Sequence, residues 1–296
     1  MTICAEKPAT SAITYTLVGR LGDQLTKYYH GKLLSYACNI PLLYKRLSRN
    51  GNQFGEQFVM DIEEEVRFDE KKARNFKHVI NLDSNFDYTS IKRDNETLYI
   101  VGLNLGKSVP DEIKNDPAFR KIIKHRISSR TQLQTIFRPK DQITVAVHVR
   151  KGGGFDSPLL SKAQFADVRF PLKFPPNQYY IDQLKNLSKM FDKKPLYAHI
   201  FTDDKNPQRI VNLFKTALKG FKITFATRQK DNAHNVNVLD DLFGMAQFDC
   251  LIRPQSSLSI MAQNIGDHQV VINPIKAHWD KKTLIIDEVR VIDNRK

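Results

Sequence analysis

Cysteine is scarce in this chain of 296 residues: Cys4, Cys38 and Cys250 are an odd number, widely spaced, with no C-x-x-C pair. That argues against a disulfide framework and fits reduced thiols acting as small buried hydrophobes. Long apolar runs are equally absent. No stretch approaches the roughly 20 residues of a membrane span, and the opening MTICAEKPATSAITYTLVG lacks the apolar core of a signal peptide. The expectation is a cytoplasmic protein, at most peripheral to a membrane, in which the sequons at Asn95 and Asn186 are coincidental. Neither D-x-D nor H-E-x-x-H occurs, so no metal is expected, whether on a diphosphate or in a zinc site. RRM, KH and zinc-finger patterns are missing too, which argues against nucleic acid as a partner. The chain has no internal repeat and no low-complexity tract.

What it does have is basic charge. Lys and Arg number 46 against 32 acids, a formal net charge of +14. Such an excess favours an anionic partner: nucleic acid, an acidic lipid surface or a phosphorylated substrate. With 41% hydrophobic and 26% charged residues the chain is of ordinary globular composition, and its length suits two domains better than one core.

Residues 13–18 read as a strand, followed by Gly19-Arg20-Leu21-Gly22 and a helix to about residue 39, in which Leu25, Tyr28, Tyr29, Leu33, Leu34 and Ala37 recur at helical spacing. A further extended run at 42–44 completes a β-loop-α-β opening, the unit of a parallel sheet. Residues 46–96 are polar and mixed and show no assignable pattern, while 98–101 read as a strand. Over 111–138 the pattern predicts one or two basic helices, with Phe119, Ile122, Ile123 and Ile127 as the apolar stripe. The cations there (residues 114–140) are the candidate surface for peripheral membrane contact, and a solvated face is the plainer alternative. A boundary near Pro139 divides the chain into residues 1–140 and 141–296.

The second half alternates regularly. Strands are expected at 142–149, 197–202, 222–226, 250–252 and 270–272, with helices at 177–190, 207–218, 239–246 and 256–265. This alternation predicts an α/β fold with a doubly wound parallel sheet, which binds ligands beyond the carboxyl ends of its strands. The residues just after each strand are therefore the candidates. The first expected strand ends in His148-Val149-Arg150-Lys151-Gly152-Gly153-Gly154, two cations beside three glycines. Glycines let backbone amides approach a phosphate, and Arg can clamp it with two hydrogen bonds. The next ends in Asp203-Asp204, of which one carboxylate is expected to cap the following helix. A third cluster runs from Asp240-Asp241 to Ser256-Ser257, where serines open a helix whose free amides suit an anion or a plain N-cap.

The order Gly-Arg-Leu-Gly-Asp-Gln, His-Val-Arg-Lys, Thr-Asp-Asp and Asp-Leu-Phe-Gly-Met followed by Ser-Ser-Leu-Ser resembles the GDP-fucose-dependent fucosyltransferases. The opening is similar to the α-1,2 family, glycosyltransferase family 11; the later motifs are shared with the α-1,6 and protein O-fucosyltransferases. The resemblance implies a GT-B-like architecture of two Rossmann-like domains, residues 1–140 facing the acceptor and 141–296 binding the nucleotide sugar. It implies an inverting, metal-independent transfer of fucose from GDP-fucose, as substrate rather than cofactor, to a hydroxyl of a glycan or lipid-linked saccharide. Residue by residue, it implies that Arg150 binds the β-phosphate and stabilises the leaving diphosphate. His148 and Asp241 contact the guanine end, and Ser256 or Ser257 holds phosphate. Lys151, Gly152, Asp203 and Asp204 line the donor pocket, and Gly19, Arg20, Gly22 and Asp23 form the loop facing the sugar.

Departures from the family pattern are specific. Lys151 stands where a second Arg is usual, Gly153 occupies an acid's place, and Asp23 replaces Asn. Asp156, three residues beyond the lost acid, is the candidate substitute, and the general base is otherwise unassigned. The alternative from another class is a degenerate homologue that binds glycan, membrane surface or nucleic acid without turnover. A phosphate-loop reading of Gly102-Leu-Asn-Leu-Gly106-Lys107-Ser108 fails on spacing, with three residues between the glycines where the motif needs four.

Overall fold

The computed structural model describes residues 11–45, 47, 58–60, 66–82, 86–94, 96–102, 109–129, 132–152, 170–230, 232, 237–281 and 283–295. Residue contacts divide the chain into two compact units, Met1–Gln132 and Leu133–Lys296.

In the first unit β1 (Ala12–Tyr15) leads into α1 (Leu21–Cys38), then β2 (Leu43–Tyr44), β3 (Phe58–Met60), β4 (Val66–Arg67), α2 (Glu70–Ala73), β5 (His78–Leu82) and β6 (Thr97–Val101). Helices α3 (Asp111–Lys114) and α4 (Pro117–Arg126) and strand β7 (Ile127–Ser129) close it. Its parallel sheet has the order β1-β6-β5. The buried stripe of α1 includes Leu25, Tyr28, Leu33 and Leu34, with Tyr28 edge-on to both Tyr15 and Tyr44 at 6.2 and 6.0 Å. Such aromatic pairs add to the hydrophobic burial that docks the helix on its strands. The helix ends where Asn39 turns left-handed, at φ 51°.

Two features of this unit differ from the sequence pattern. Strand β5 falls in the unassigned stretch, because four of its five residues are exposed and no buried face marks it. The basic segment is helical only to Arg126. Asp116 accepts the Ala118 amide at 2.9 Å and starts a fresh helix at Pro117, and Ile127–Ser129 then runs extended against β3. Arg126 is buried rather than presented on a basic face.

The second unit contains β8 (Ile143–Val149), α5 (Asn177–Met190), β9 (Leu196–Thr202), α6 (Pro207–Ala217) and β10 (Ile223–Thr227). It continues with α7 (Val238–Met245), β11 (Cys250–Ile252), α8 (Ser257–Ile265), β12 (Val270–Asp280) and β13 (Thr283–Asp293). The sheet order is β10-β9-β8-β11-β12-β13, parallel except for the last strand. This is the doubly wound arrangement expected from the sequence. Strands β8, β9 and β10 progress in one direction; the chain then crosses back to β11 and β12 on the other side of β8. Because parallel crossovers are right-handed, the reversal sends the later helices to the opposite face.

Alternate residues of β8 show the two faces. Val145, Val147 and Val149 join one core with Tyr180, Leu184 and Leu187 of α5 and Ile210 and Phe214 of α6. On the other face Gly244 of α7 lies so close to Phe201 that an added Cβ would stand 3.1 Å from its ring, and Phe201 meets Phe248 at 5.7 Å. Glycine is what lets α7 approach this near.

Sequence pattern marked 270–272 as a final core strand; the structure extends it into a long hairpin. Only Val270–Pro274 of β12 is buried, and the remainder pairs with β13 as a largely exposed ribbon turning at Lys281, φ 54°. An exposed ribbon leaves no hydrophobic alternation to read. No helix among the described residues is long and apolar enough to cross a membrane.

Phe214 is fully buried in the α5/α6 core. Phe214→Ala should destabilise the second unit by roughly 3–5 kcal/mol, seen as an earlier urea transition of that unit. A loss under about 1 kcal/mol would show that this core collapses around the gap.

Candidate functional site

The switch point of the sheet lies between β8 and β11, and the strand ends there hold three buried polar side chains. His148 and Arg150 terminate β8 with 7% and 8% exposure. Arg253 follows β11 directly and is 6% exposed. The register pairs Val147 with Ile252, so the next step along both strands sets Arg253 level with His148.

Arg253 donates from Nε to Gln263 Oε1 at 2.7 Å and from Nη1 to the Pro254 carbonyl at 3.1 Å. Both acceptors are neutral, and no acidic side chain among the described residues pairs with it. Tyr179 reaches across from α5 to hold the Arg253 carbonyl at 3.1 Å. Burial lowers the Arg253 pKa to about 10, so the group stays charged at neutral pH. A buried, uncompensated cation is costly, and an anion beside it relieves that cost. His148 is pushed down to about 3 by burial, reinforced by Arg150 and Arg253. It is therefore neutral, and its Nδ1 has no protein hydrogen-bond partner. The Arg150 guanidinium lies 5.8 Å from the centre of the Phe174 ring, within cation–π range.

Beyond Arg150 the chain turns. Gly152 adopts φ +95°, a conformation that suits glycine. The Lys151 amide donates to Asp203 Oδ1 at 2.6 Å, and the Gly152 amide to both Asp203 oxygens at 3.3 and 3.2 Å. The Lys151 ammonium bonds Asn177 Oδ1, on the first turn of α5, at 2.6 Å. Neither carboxylate caps α6, contrary to expectation: its N-cap is Asn206, without a side-chain capping bond, and Asp204 instead closes the turn before it, Oδ1 accepting the Asn206 amide at 2.8 Å and Oδ2 pairing with Arg209 at 3.1 Å. Both carboxylates at the end of β9 thus have protein partners.

On α7 Asp240 accepts the Gln134 amide at 2.8 Å, whereas Asp241 pairs with Arg228 at 2.7 Å. Burial raises the Asp241 pKa to about 6, with Arg228 opposing the shift. Ser256 sits at the N-cap of α8, 2% exposed, and its side chain makes no capping hydrogen bond. The plain capping role is therefore not what Ser256 does here, and Ser257 occupies the first helical position.

The remaining candidates belong to the first unit. Gly19, at φ +74°, precedes the N-cap Arg20, whose amide donates to Asp23 Oδ2 at 3.2 Å. An added Cβ on Gly19 would stand 2.5 Å from that same oxygen. Gln24 Nε2 holds the Gly19 carbonyl at 3.0 Å, and Gly22 is buried in the first turn. Asp23 is thus a capping carboxylate at the start of α1. Asp156, Gly153, Gly154 and residues 103–108 lie outside the described residues. Among the described residues no group of three or more His, Cys, Asp or Glu side chains is arranged to hold a metal ion.

Sequence reasoning missed Arg253 and Arg228. A signal existed for the first: Arg253 follows a buried strand of the same sheet, as Arg150 does. Arg228 also follows its strand closely, but its role emerges only from the partner it finds on α7.

No family model matches the chain, and no curated protein matches it. Solved structures do. The fucosyltransferase NodZ from Bradyrhizobium is similar at 12% identity over 97% of this chain and 100% of that one, with a TM-score of 0.51. NodZ α-1,6-fucosyltransferase soaked with GDP-fucose matches at 12% identity over 96% and 99%, TM-score 0.50. POFUT1 in complex with GDP-fucose matches at 13% identity over 89% and 96%, TM-score 0.48. The likeness to NodZ shows an α/β fold with parallel sheets of the GT-B kind.

Asp241 binds its proton more tightly folded than unfolded. Stability from this group is therefore present below the ordinary carboxylate pKa and is lost as pH rises to about 6. Over that window the wild type should lose on the order of 2–3 kcal/mol through this group, and Asp241→Asn should not. Urea denaturation at a series of pH values measures the two slopes; identical slopes would contradict the burial of this carboxyl.

Proposed function

We propose that this chain is an inverting glycosyltransferase that moves fucose from GDP-fucose to a hydroxyl of a glycan or lipid-linked saccharide. The observation that carries the reading is the charge at the switch point. Two buried arginines end the two strands that flank it, one without an acidic partner, beside a helix whose N-cap side chain is unused for capping. A nucleoside diphosphate supplies the missing negative charge there. The order of the four motifs and the NodZ-like fold support GDP-fucose as its identity.

In this reading Arg150 binds the β-phosphate. As the glycosidic bond breaks, charge grows on the diphosphate, and a fixed guanidinium stabilises that charge more than it stabilises the bound donor. The amides at the start of α8 and the Ser256 or Ser257 hydroxyl add hydrogen bonds to phosphate. His148, neutral, and Asp241, held by Arg228, recognise the guanine end. Lys151, Gly152, Asp203 and Asp204 shape the turn around the donor. The first unit, with Gly19, Arg20, Gly22 and Asp23, serves the acceptor side.

Thermal-shift titration with GDP, UDP, ADP, CMP and GDP-fucose, with and without EDTA, tests the donor class. At 100 times its dissociation constant a ligand stabilises by about 2.7 kcal/mol. GDP and GDP-fucose should raise the midpoint selectively and regardless of EDTA; a response to ADP or UDP alone would overturn the fucose donor. Arg150→Ala should cut donor turnover by about 100-fold or more, by analogy with removal of one transition-state donor. Near-normal turnover would remove Arg150 from the reaction.

A further inference from the structure

A glycine-rich turn after a strand invites the assumption that its amides cradle the phosphate, and here the two described ones, of Lys151 and Gly152, do not stand free. The amides of Lys151 and Gly152 both converge on the carboxylate of Asp203. Successive amides around a left-handed residue form an anion-binding concavity. In this protein the anion is already built in, delivered from the end of the neighbouring strand. Strand register explains the delivery: Val149 pairs with Thr202, so Asp203 emerges beside Arg150 and faces the turn that follows it. Lys151 is fixed at its other end as well, through its ammonium on Asn177.

We propose that Asp203 is a positioning residue that, by occupying the amide cradle of the Arg150–Gly152 turn, aims the Arg150 guanidinium at the donor's β-phosphate and leaves that guanidinium, not the turn, to bind it. The inference rests on the donor reading above and adds who holds the phosphate. Two consequences distinguish it from a merely structural turn. A phosphate oxygen placed on the Lys151 and Gly152 amides would have to displace a carboxylate of like charge, so the turn contributes orientation rather than contact. And because Asp203 acts through Arg150, its loss should matter only while Arg150 is present and only for ligands that carry a β-phosphate.

The test uses the full chain in four forms: wild type, Asp203→Ala, Arg150→Ala and the double variant, with Asp203→Asn as a milder change should Asp203→Ala fold poorly. Hydrogen exchange without ligand reads the clamp itself: the Lys151 and Gly152 amides should be protected in the wild type and exchange at least about tenfold faster in Asp203→Ala, as an opened hydrogen bond requires. Calorimetry then compares GDP with GMP, which lacks the β-phosphate. Asp203→Ala should weaken GDP at least about fivefold while GMP changes less than about twofold, and in the Arg150→Ala background it should change neither, the non-additivity of two residues acting as one unit. Equal losses for GDP and GMP, or losses that multiply in the double variant, would overturn the positioning role. Wild-type protein that keeps both amides protected but binds no nucleoside diphosphate would overturn the donor reading, and the role of Arg150 with it, while leaving the clamp as a fact of the turn.

Discussion

Parallel pairing of β8 with β11, in the register Val145–Cys250, Ala146–Leu251 and Val147–Ile252, is the constraint on which the second unit depends. The winding direction reverses between these two strands. Doubly wound sheets bind their ligands outside the carboxyl ends of the strands at such a reversal. The pair is also sealed at its other end. Asp249, just before β11, accepts both the amide and the hydroxyl of Thr144 in β8, at 2.8 and 2.7 Å. One carboxylate therefore sets the register at the amino end, and that register brings His148 and Arg253 level at the other.

The charges around these strand ends are unequally matched. Asp203 is held by two amides, Asp204 by an amide and Arg209, and Asp241 by Arg228. Each of these three acids is thus neutralised or hydrogen-bonded within the protein. Arg253 receives only neutral acceptors, and its burial lowers its pKa without discharging it. Positive potential is left over where the strands end. The chain's net charge of +14 acts in the same direction at long range and favours the approach of an anion.

What the sequence made legible follows from how locally each feature is encoded. Helix α5 and strand β11 fall on the expected bounds, because a stripe at 3.6-residue spacing and a short apolar run between polar residues are local signals. Arg150 and His148 were visible because they follow such a run. Strand β5 and the outer part of the β12–β13 hairpin were not, since exposed strands carry no buried alternation. Over 111–138 the pattern allowed one or two helices, and the structure has two, α3 and α4, divided at Asp116-Pro117. Partnership across the chain was the least legible of all. Nothing near Asp203 in the sequence announces that its acceptors are needed by amides about 50 residues earlier.

That last point changes what a glycine-rich strand end means here. In a phosphate loop the glycines free amides for the ligand, and the helix that follows immediately supplies more of them. Among the described residues the first α-helix after β8 is α5, which begins at Asn177. A helix amino end does stand on the other side of the switch point, that of α8, opened by Ser256 and preceded by Arg253. Amide donors and guanidinium thus come from different strands: β8 contributes an aimed cation, β11 a second cation and a helix amino end. A diphosphate lying across the two strand ends meets both contributions together, which a single loop on one strand could not provide. The glycine at 152 serves the turn that aims Arg150, and the anion it accommodates belongs to the protein.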